Sequence, residues 1–361
     1  MKLFSCPACD QVVFFENVLC ERCNHALGYE PEANAMLALE PSDNGGWVSV
    51  GRHADGRPWR YCENYTHGAC NWLVPGEGEG GFCLACRHNL VVPNLGEASN
   101  VALWQKMEIA KRRLFYTLLR LKLPLVTRDE DPEGLGFEFL SHDPENGGHV
   151  MTGHDNGLIT IALAEADDAE RERRRTSMGE PYRTLLGHFR HEIGHWYWDR
   201  LVRDGGRLSA CRAVFGDDSQ DYGEALKRHY ANGPKPDWQL HFVSSYAAAH
   251  PWEDFAETWA HYFHITDTLD TGRAWGFVVN PREDHEDLLT AMINFDVYSP
   301  NTTMANIAES WLALSAALNA LNRSMGAPDP YPFVLTEPVI QKLGFIHDLV
   351  HGRVPQDGDA G

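Results

Sequence analysis

Eight of the chain's nine cysteines fall before residue 90, and most of them fall in close pairs. Two thiolates separated by two residues can bind one metal ion from a single turn, so such pairs dictate small, loop-rich folds built around ions. Cys6-Pro7-Ala8-Cys9 and Cys20-Glu21-Arg22-Cys23 are two turns of this kind. The second set is Cys62, Cys70, Cys83 and Cys86, with its first pair widened. In a chain this long, paired cysteines point to metal in a reducing compartment rather than to disulfides. The spacing therefore predicts two structural zinc sites, one held by Cys6, Cys9, Cys20 and Cys23 and the other by Cys62, Cys70, Cys83 and Cys86. A closed four-thiolate site has no open position for chemistry, and modules this small need the ion to fold. Cys211 stands alone and reads as a buried thiol.

The rest of the chain is long enough for a full domain. The whole chain has 361 residues, 43% hydrophobic and 11% aromatic, enough to bury a real core. A net charge of −20 works against non-specific attraction to nucleic acid or anionic lipid. Within residues 1–40 the basic residues are Lys2 and Arg22, which argues against nucleic acid as the ribbon's partner. The first residues run straight into a cysteine pair with no apolar signal region, and no window approaches a membrane span. The expectation is a soluble cytoplasmic protein.

Three parts follow from this: a zinc ribbon over 1–40, a second four-cysteine module over 58–95, and a larger domain over 98–353. Pro41 to Gly46 reads as a turn or short linker between the modules. Apolar residues at helical spacing predict a helix from Asn100 to Leu123, ended near Pro124. Gly136–Leu140, His149–Gly153 and Leu158–Leu163 predict a small antiparallel sheet, with Asp155-Asn156-Gly157 as its hairpin turn. Residues 164–180, rich in arginine and acids, read as a solvated connector or helix start. Helices are then expected from Pro181 to Leu201, Asp221 to Ala231, Pro251 to Thr266, Thr303 to Leu321 and Val339 to His351.

Chemistry concentrates in two of these helices. His191-Glu192-Ile193-Gly194-His195 is an HExxH motif. On a helix, residues four apart lie on one face, so both imidazoles can reach one zinc while Glu192 stands beside it to take a proton from a bound water. A catalytic zinc needs a third protein ligand. Glu253, Glu257, His261 and His264 form one stripe on the later helix, and either glutamate or His261 could complete the set. Trp196, Trp198, Trp252 and Trp259 read as packing around these helices.

The stretches His188–Asp199 and Val243–His264 resemble the bacterial zinc-binding metallopeptidase family that carries an N-terminal zinc ribbon. Its pattern "S-x-Y-A-x-x-H-P-W-E-D-x-A-E-T-W-A-H-Y" is similar to Ser244 through Tyr262, and the likeness extends over nearly the whole chain. The same segments resemble, more distantly, the lethal-factor-like gluzincins. There a tyrosine precedes the glutamate ligand by seven residues, as Tyr246 precedes Glu253 here. That resemblance implies Glu253 as third ligand and Tyr246 as a phenol that steadies the oxyanion. It makes Glu257 a partner of a ligand imidazole, and Asp199, four after His195, an acid placed to orient that ring.

The fold expected is α+β: a zincin-like metallopeptidase domain, with a small antiparallel sheet beside the HExxH helix and a mostly helical C-terminal part, behind two four-cysteine modules. The function expected is zinc-dependent hydrolysis of a peptide or protein substrate, with one catalytic and two structural zinc ions. The rival is a zinc-ribbon adaptor or pseudopeptidase that binds a protein or nucleic-acid partner without turnover.

Overall fold

A computed structural model describes residues 2–43, 45–76, 81–141, 150, 152–178 and 180–358. The chain divides into two compact units, Met1–Arg173 and Arg174–Gly361.

The first unit starts with a short antiparallel pair, β1 (Phe4–Ser5) and β2 (Val12–Val13), with the first cysteine turn between them. Asp10 N–H donates to Cys6 O at 2.9 Å, and Asn24 N–H to Cys20 O at 2.8 Å. Both turns thus close on a residue of positive φ, 63° at Asp10 and 59° at Asn24. Asp and Asn are the non-glycine residues that tolerate this region best.

Five antiparallel strands follow: β3 (Ala26–Glu30), β4 (Ala35–Pro41), β5 (Trp47–Val50), β6 (Pro58–Tyr61) and β7 (Leu73–Pro75). The segment from Pro41 to Gly46 leads from β4 into β5 within this sheet; its Asn44 lies outside the described residues. Leu37, Leu39, Trp59 and Leu73 form a buried cluster on the sheet, flanked by Ala26, Trp47 and Tyr61.

Strand β8 (Asn89–Val91) leads into helix α1 (Ala98–Arg120), close to the bounds that its apolar spacing predicts. After α1 come β9 (Gly136–Leu140), β10 (Gly153–Asp155) and β11 (Leu158–Ala162), and the sheet order is β10-β11-β9-β8. Here the sequence expectation needs correcting, because the sheet is mixed. Only β10 and β11 run antiparallel, around Asn156 and Gly157 at φ 45° and 85°, while β11 pairs with β9, and β9 with β8, in parallel. The physical reason is connection length. A two-residue turn forces antiparallel neighbours, whereas the chain between β8 and β9 contains a 23-residue helix and can return in the same sense. His149, where the first hairpin strand was expected to begin, lies outside the described residues. The charged segment expected as connector or helix start forms α2 (Asp168–Met178).

Helices dominate the second unit. α3 (Leu185–Tyr197) begins four residues beyond Pro181, where Thr184 Oγ1 accepts from Gly187 N–H at 3.0 Å; this N-cap sets the start more firmly than the proline. A wider π-turn, Trp198–Arg203, extends it. Then come α4 (Leu208–Phe215), α5 (Tyr222–Asn232), α6 (Pro251–Ala274), α7 (Met304–Ser324) and α8 (Glu337–Val350). α6 runs well past Thr266, because that hydroxyl bonds back to Tyr262 O at 2.9 Å and Leu269 and Gly272 continue the buried face. It is the central helix of the unit, packed against α3, α4, α7 and α8.

Gly194 explains how closely α3 and α6 approach. A Cβ on it would lie 3.1 Å from Ala256 Cα and 3.2 Å from Trp259. Asp254, fully buried at the start of α6, is neutralised by Lys342 of α8 at 2.6 Å. The first feature lets α6 lie close against the second half of α3, and the second ties the start of α6 to α8. No helix among the described residues is long and apolar enough to cross a membrane.

Candidate metal centre

The helix period places His191 and His195 one turn apart on α3, and both rings face the first turn of α6. His191 Nε2 lies 3.2 Å from His195 Nε2 and 3.1 Å from Glu253 Oε2, and His195 Nε2 lies 3.6 Å from the same oxygen. Three donor atoms around a tetrahedral ion of zinc's size, at about 2.05 Å from it, would stand about 3.3 Å apart. The observed edges match. Glu253 is 1% exposed, and among the described residues its Oε2, though close to both imidazoles, makes no hydrogen bond of good geometry, a costly state for a buried carboxylate oxygen unless a cation completes it. The donor set therefore fits zinc.

The electrostatics point the same way. Burial works to raise the Glu253 carboxyl, but the His195 and His191 imidazoles outweigh it and hold Glu253 well below the usual carboxylate range. Burial works to lower His191, and there Glu253 and then Glu257 win, holding it well above the ordinary histidine value. Two carboxylates around one imidazole make a place where positive charge is favoured.

Around the donors lies a set of orienting contacts. Glu257, one turn on from Glu253, places Oε1 at 2.8 Å from His191 Nδ1, and its Oε2 accepts from Ser244 Oγ at 2.6 Å. His191 thus has a carboxylate behind it as metal-bound imidazoles do. Trp252 packs on His195 with ring centroids 3.9 Å apart. Tyr246 is half-buried, its ring 5.9 Å from that of His191; burial, and then the charge of Glu253, push its phenol up. Glu192 follows His191 on α3 and is half-buried. Asp199 sits at the start of the π-turn, where its Oδ1 accepts from Arg203 Nη1 at 3.0 Å.

The stripe on α6 is therefore divided. Glu253 joins the donors and Glu257 stands behind them. His261 turns to Tyr331, whose hydroxyl is 2.8 Å from its Nδ1, and His264 pairs with Arg190. Two residues near the donors were not anticipated. Ser244 lies in the segment that carries the family pattern but had no role assigned. Tyr222 comes from α5, and its hydroxyl donates to Glu253 Oε1 at 2.5 Å. The only local sign at Tyr222 is the helix start itself, where Asp221 Oδ1 accepts from Glu224 N–H at 2.9 Å.

The two cysteine sets lie in the first unit. Cys6 and Cys23 Sγ are 3.6 Å apart, as are Cys9 and Cys20, and Cys70 and Cys83 are 3.7 Å apart. Four sulfurs around zinc at about 2.3 Å would be separated by about 3.8 Å. Each set gathers all four of its sulfurs within 4.8 Å of one another. The sets differ in their surroundings. At the first, His25 Nδ1 lies 3.2 Å from Cys23 Sγ, and its Nε2 is 3.0 Å from Glu40. The second is fully buried and faces α1, where Glu108 Oε2 lies 3.6 Å from Cys86 Sγ and Lys111 lies 2.9 Å from Glu108. Cys211 is buried in the second unit, and burial pushes its thiol up to about 12.

Comparison with known proteins adds to this geometry. Residues 100–349 match the family described as "putative zinc-binding metallo-peptidase", and residues 3–97 match a zinc-ribbon domain that takes in both cysteine sets. Uncharacterized proteins of Mycobacterium tuberculosis and Mycobacterium bovis are each 44% identical over 358 residues, 98% of this chain and 97% of theirs. No solved structure matches.

Proposed function

The chain belongs to the zinc-binding metallo-peptidase family, and we propose that it hydrolyses peptide bonds at the centre formed by His191, His195 and Glu253. What carries this reading is the convergence of two imidazoles and one buried carboxylate oxygen, with Glu192 on the same helix as the imidazoles.

Zinc bound by these three residues would supply a Lewis acid and bring the pKa of a bound water down to about 7. Glu192 takes the proton of the attacking water on its carboxylate and returns it to the leaving amine. The Tyr246 hydroxyl donates a hydrogen bond to the oxygen that gains charge as the carbonyl is attacked. Glu257 accepts the Nδ1 proton of His191, which fixes the tautomer and leaves Nε2 free to bind. Asp199 helps to orient the end of α3. In the first unit, each four-cysteine set holds a structural zinc ion, closed to chemistry by its own ligands. The substrate is a peptide or protein, and the protein acts in the cytoplasm.

The test compares wild type with Glu192→Gln against a fluorogenic peptide library, with zinc content measured on both. The variant keeps its zinc and loses about 100- to 10,000-fold in kcat. A wild type that holds its full zinc and cleaves nothing would leave the adaptor reading in place of this one.

A further inference from the structure

The geometry points to Tyr222 as a positioning residue for Glu253, with His250 holding Tyr222 in place. This rests on the reading that His191, His195 and Glu253 bind zinc.

The two oxygens of Glu253 have separate tasks. Oε2 faces the imidazoles, and Oε1 accepts from the Tyr222 hydroxyl at 2.5 Å. A carboxylate held through one oxygen cannot rotate and offer both to an ion. That keeps one coordination position open, as a catalytic zinc requires and a structural one does not.

Tyr222 is the first residue of α5, a helix whose only buried residue is Ala225, lying between Gly216 at φ 98° and Gly233 at φ 75°. A helix so lightly packed does not fix its own first residue. His250 does so from the neighbouring element. Its Nδ1 accepts from Trp252 N–H at 3.1 Å, which caps α6, and its Nε2 lies 3.1 Å from Gln220 O, just before α5. The two contacts are satisfied together by one neutral tautomer, with the proton on Nε2. His250 is 4% exposed, so this ring has no solvent alternative. The Tyr222 ring meets His250 and Trp252 edge-on, at 5.4 and 5.5 Å between centroids. One imidazole therefore fixes both the start of the helix that carries Glu253 and the start of the helix that carries its partner. Tyr246 also lies near Glu253, but the mechanism gives its hydroxyl to the substrate oxygen.

The experiment measures zinc affinity by chelator competition, total zinc per chain, and kcat and KM on the full chain. The variants are Tyr222→Phe, His250→Asn and Tyr246→Phe. Tyr222→Phe weakens one zinc by about 10- to 100-fold, leaves the cysteine-bound zinc in place, and recovers activity as zinc is raised. His250→Asn keeps a capping oxygen but loses the reach to Gln220, and shifts zinc affinity in the same direction. Tyr246→Phe lowers kcat by an amount that saturating zinc does not restore. Melting of the chelated Tyr222→Phe protein matches wild type, which separates positioning from a general packing role. Wild-type zinc affinity in Tyr222→Phe, or a kcat loss that saturating zinc does not restore, would overturn the inference alone. A wild type that binds no zinc at His191, His195 and Glu253 overturns the proposed function and this inference with it.

Discussion

Glu257 Oε1 lies 2.8 Å from Nδ1 of His191, on the side of the ring opposite the nitrogen that faces His195 and Glu253. One turn of α6 thus separates a carboxylate that faces the donor set from one that stands behind it. Removing the acid at the rear leaves all three donors in place, so the loss is in their orientation. Glu257→Gln should weaken zinc by about 10- to 100-fold with little change in fold. Ser244→Ala, which frees the other oxygen of Glu257, should move affinity the same way by less. Chelator competition checks both, and equal affinity in Glu257→Gln and wild type would count against the orienting role.

Zinc stoichiometry tests the three-site reading directly. Elemental analysis should give three zinc ions per chain, falling to two in the His191→Ala, Glu253→Ala double variant. A count of two in both proteins would leave only the cysteine sets.

Gly194 lies where α3 comes nearest to α6, and a side chain there meets the backbone of Ala256. Gly194→Val should cost about 1–3 kcal/mol by overpacking and should weaken zinc as the helices part. Gly194→Ala should do less of each, since the gain in helix propensity, up to about 1 kcal/mol, offsets part of the strain. Urea unfolding and zinc competition on both variants measure this. Wild-type zinc affinity in the valine variant would show that the helix spacing does not govern the site.

Much of this arrangement was legible in the sequence, and the parts that were not have physical reasons. His191, Glu192 and His195 follow from the helix period, because their relations are local. Glu253, Glu257 and His261 share a stripe, and periodicity cannot say which of them lies opposite His195. That depends on how α3 and α6 pack, and their close approach at Gly194 is a tertiary contact. Tyr222 could not be found at all, since nothing near it in sequence encodes Glu253 as its partner. The five-stranded sheet of the first unit went unseen because strands such as Leu73–Pro75 are too short to show alternation. The parallel pairing of β9 is likewise a property of a long connection rather than of the strand's own residues.

Acid should weaken the second unit through His261. Burial pushes this ring down to about 4, whereas an unfolded histidine titrates near 6.5. Between these values the unfolded chain binds a proton that the folded chain does not. Stability is therefore full above about pH 6.5 and falls as pH drops toward 4, by about 3 kcal/mol for this group. Urea unfolding of chelated protein across that range should show a shallower pH slope in His261→Asn than in wild type. Identical slopes would remove His261 from the account.

Lys342 pairs with a carboxylate that has no access to water. Lys342→Ala leaves Asp254 charged and buried, or forces it to take up a proton, and should cost about 3–5 kcal/mol. Adding Asp254→Asn should recover part of that loss. If the single variant unfolds at the wild-type urea midpoint, the pair contributes nothing to holding the start of α6.

The positions of the donors along the chain also set an order of events during synthesis. Both cysteine sets leave the ribosome before any residue of the histidine–glutamate centre. The stretch from His195 to Glu253 then takes roughly 3–12 s to make at ordinary elongation rates. Throughout that interval the two imidazoles have no carboxylate to complete them, and Tyr222 has nothing to hold. The nascent chain thus exposes both thiolate sets while the histidine–glutamate centre is still unassembled, so any chemistry of that centre waits until α6 has been made.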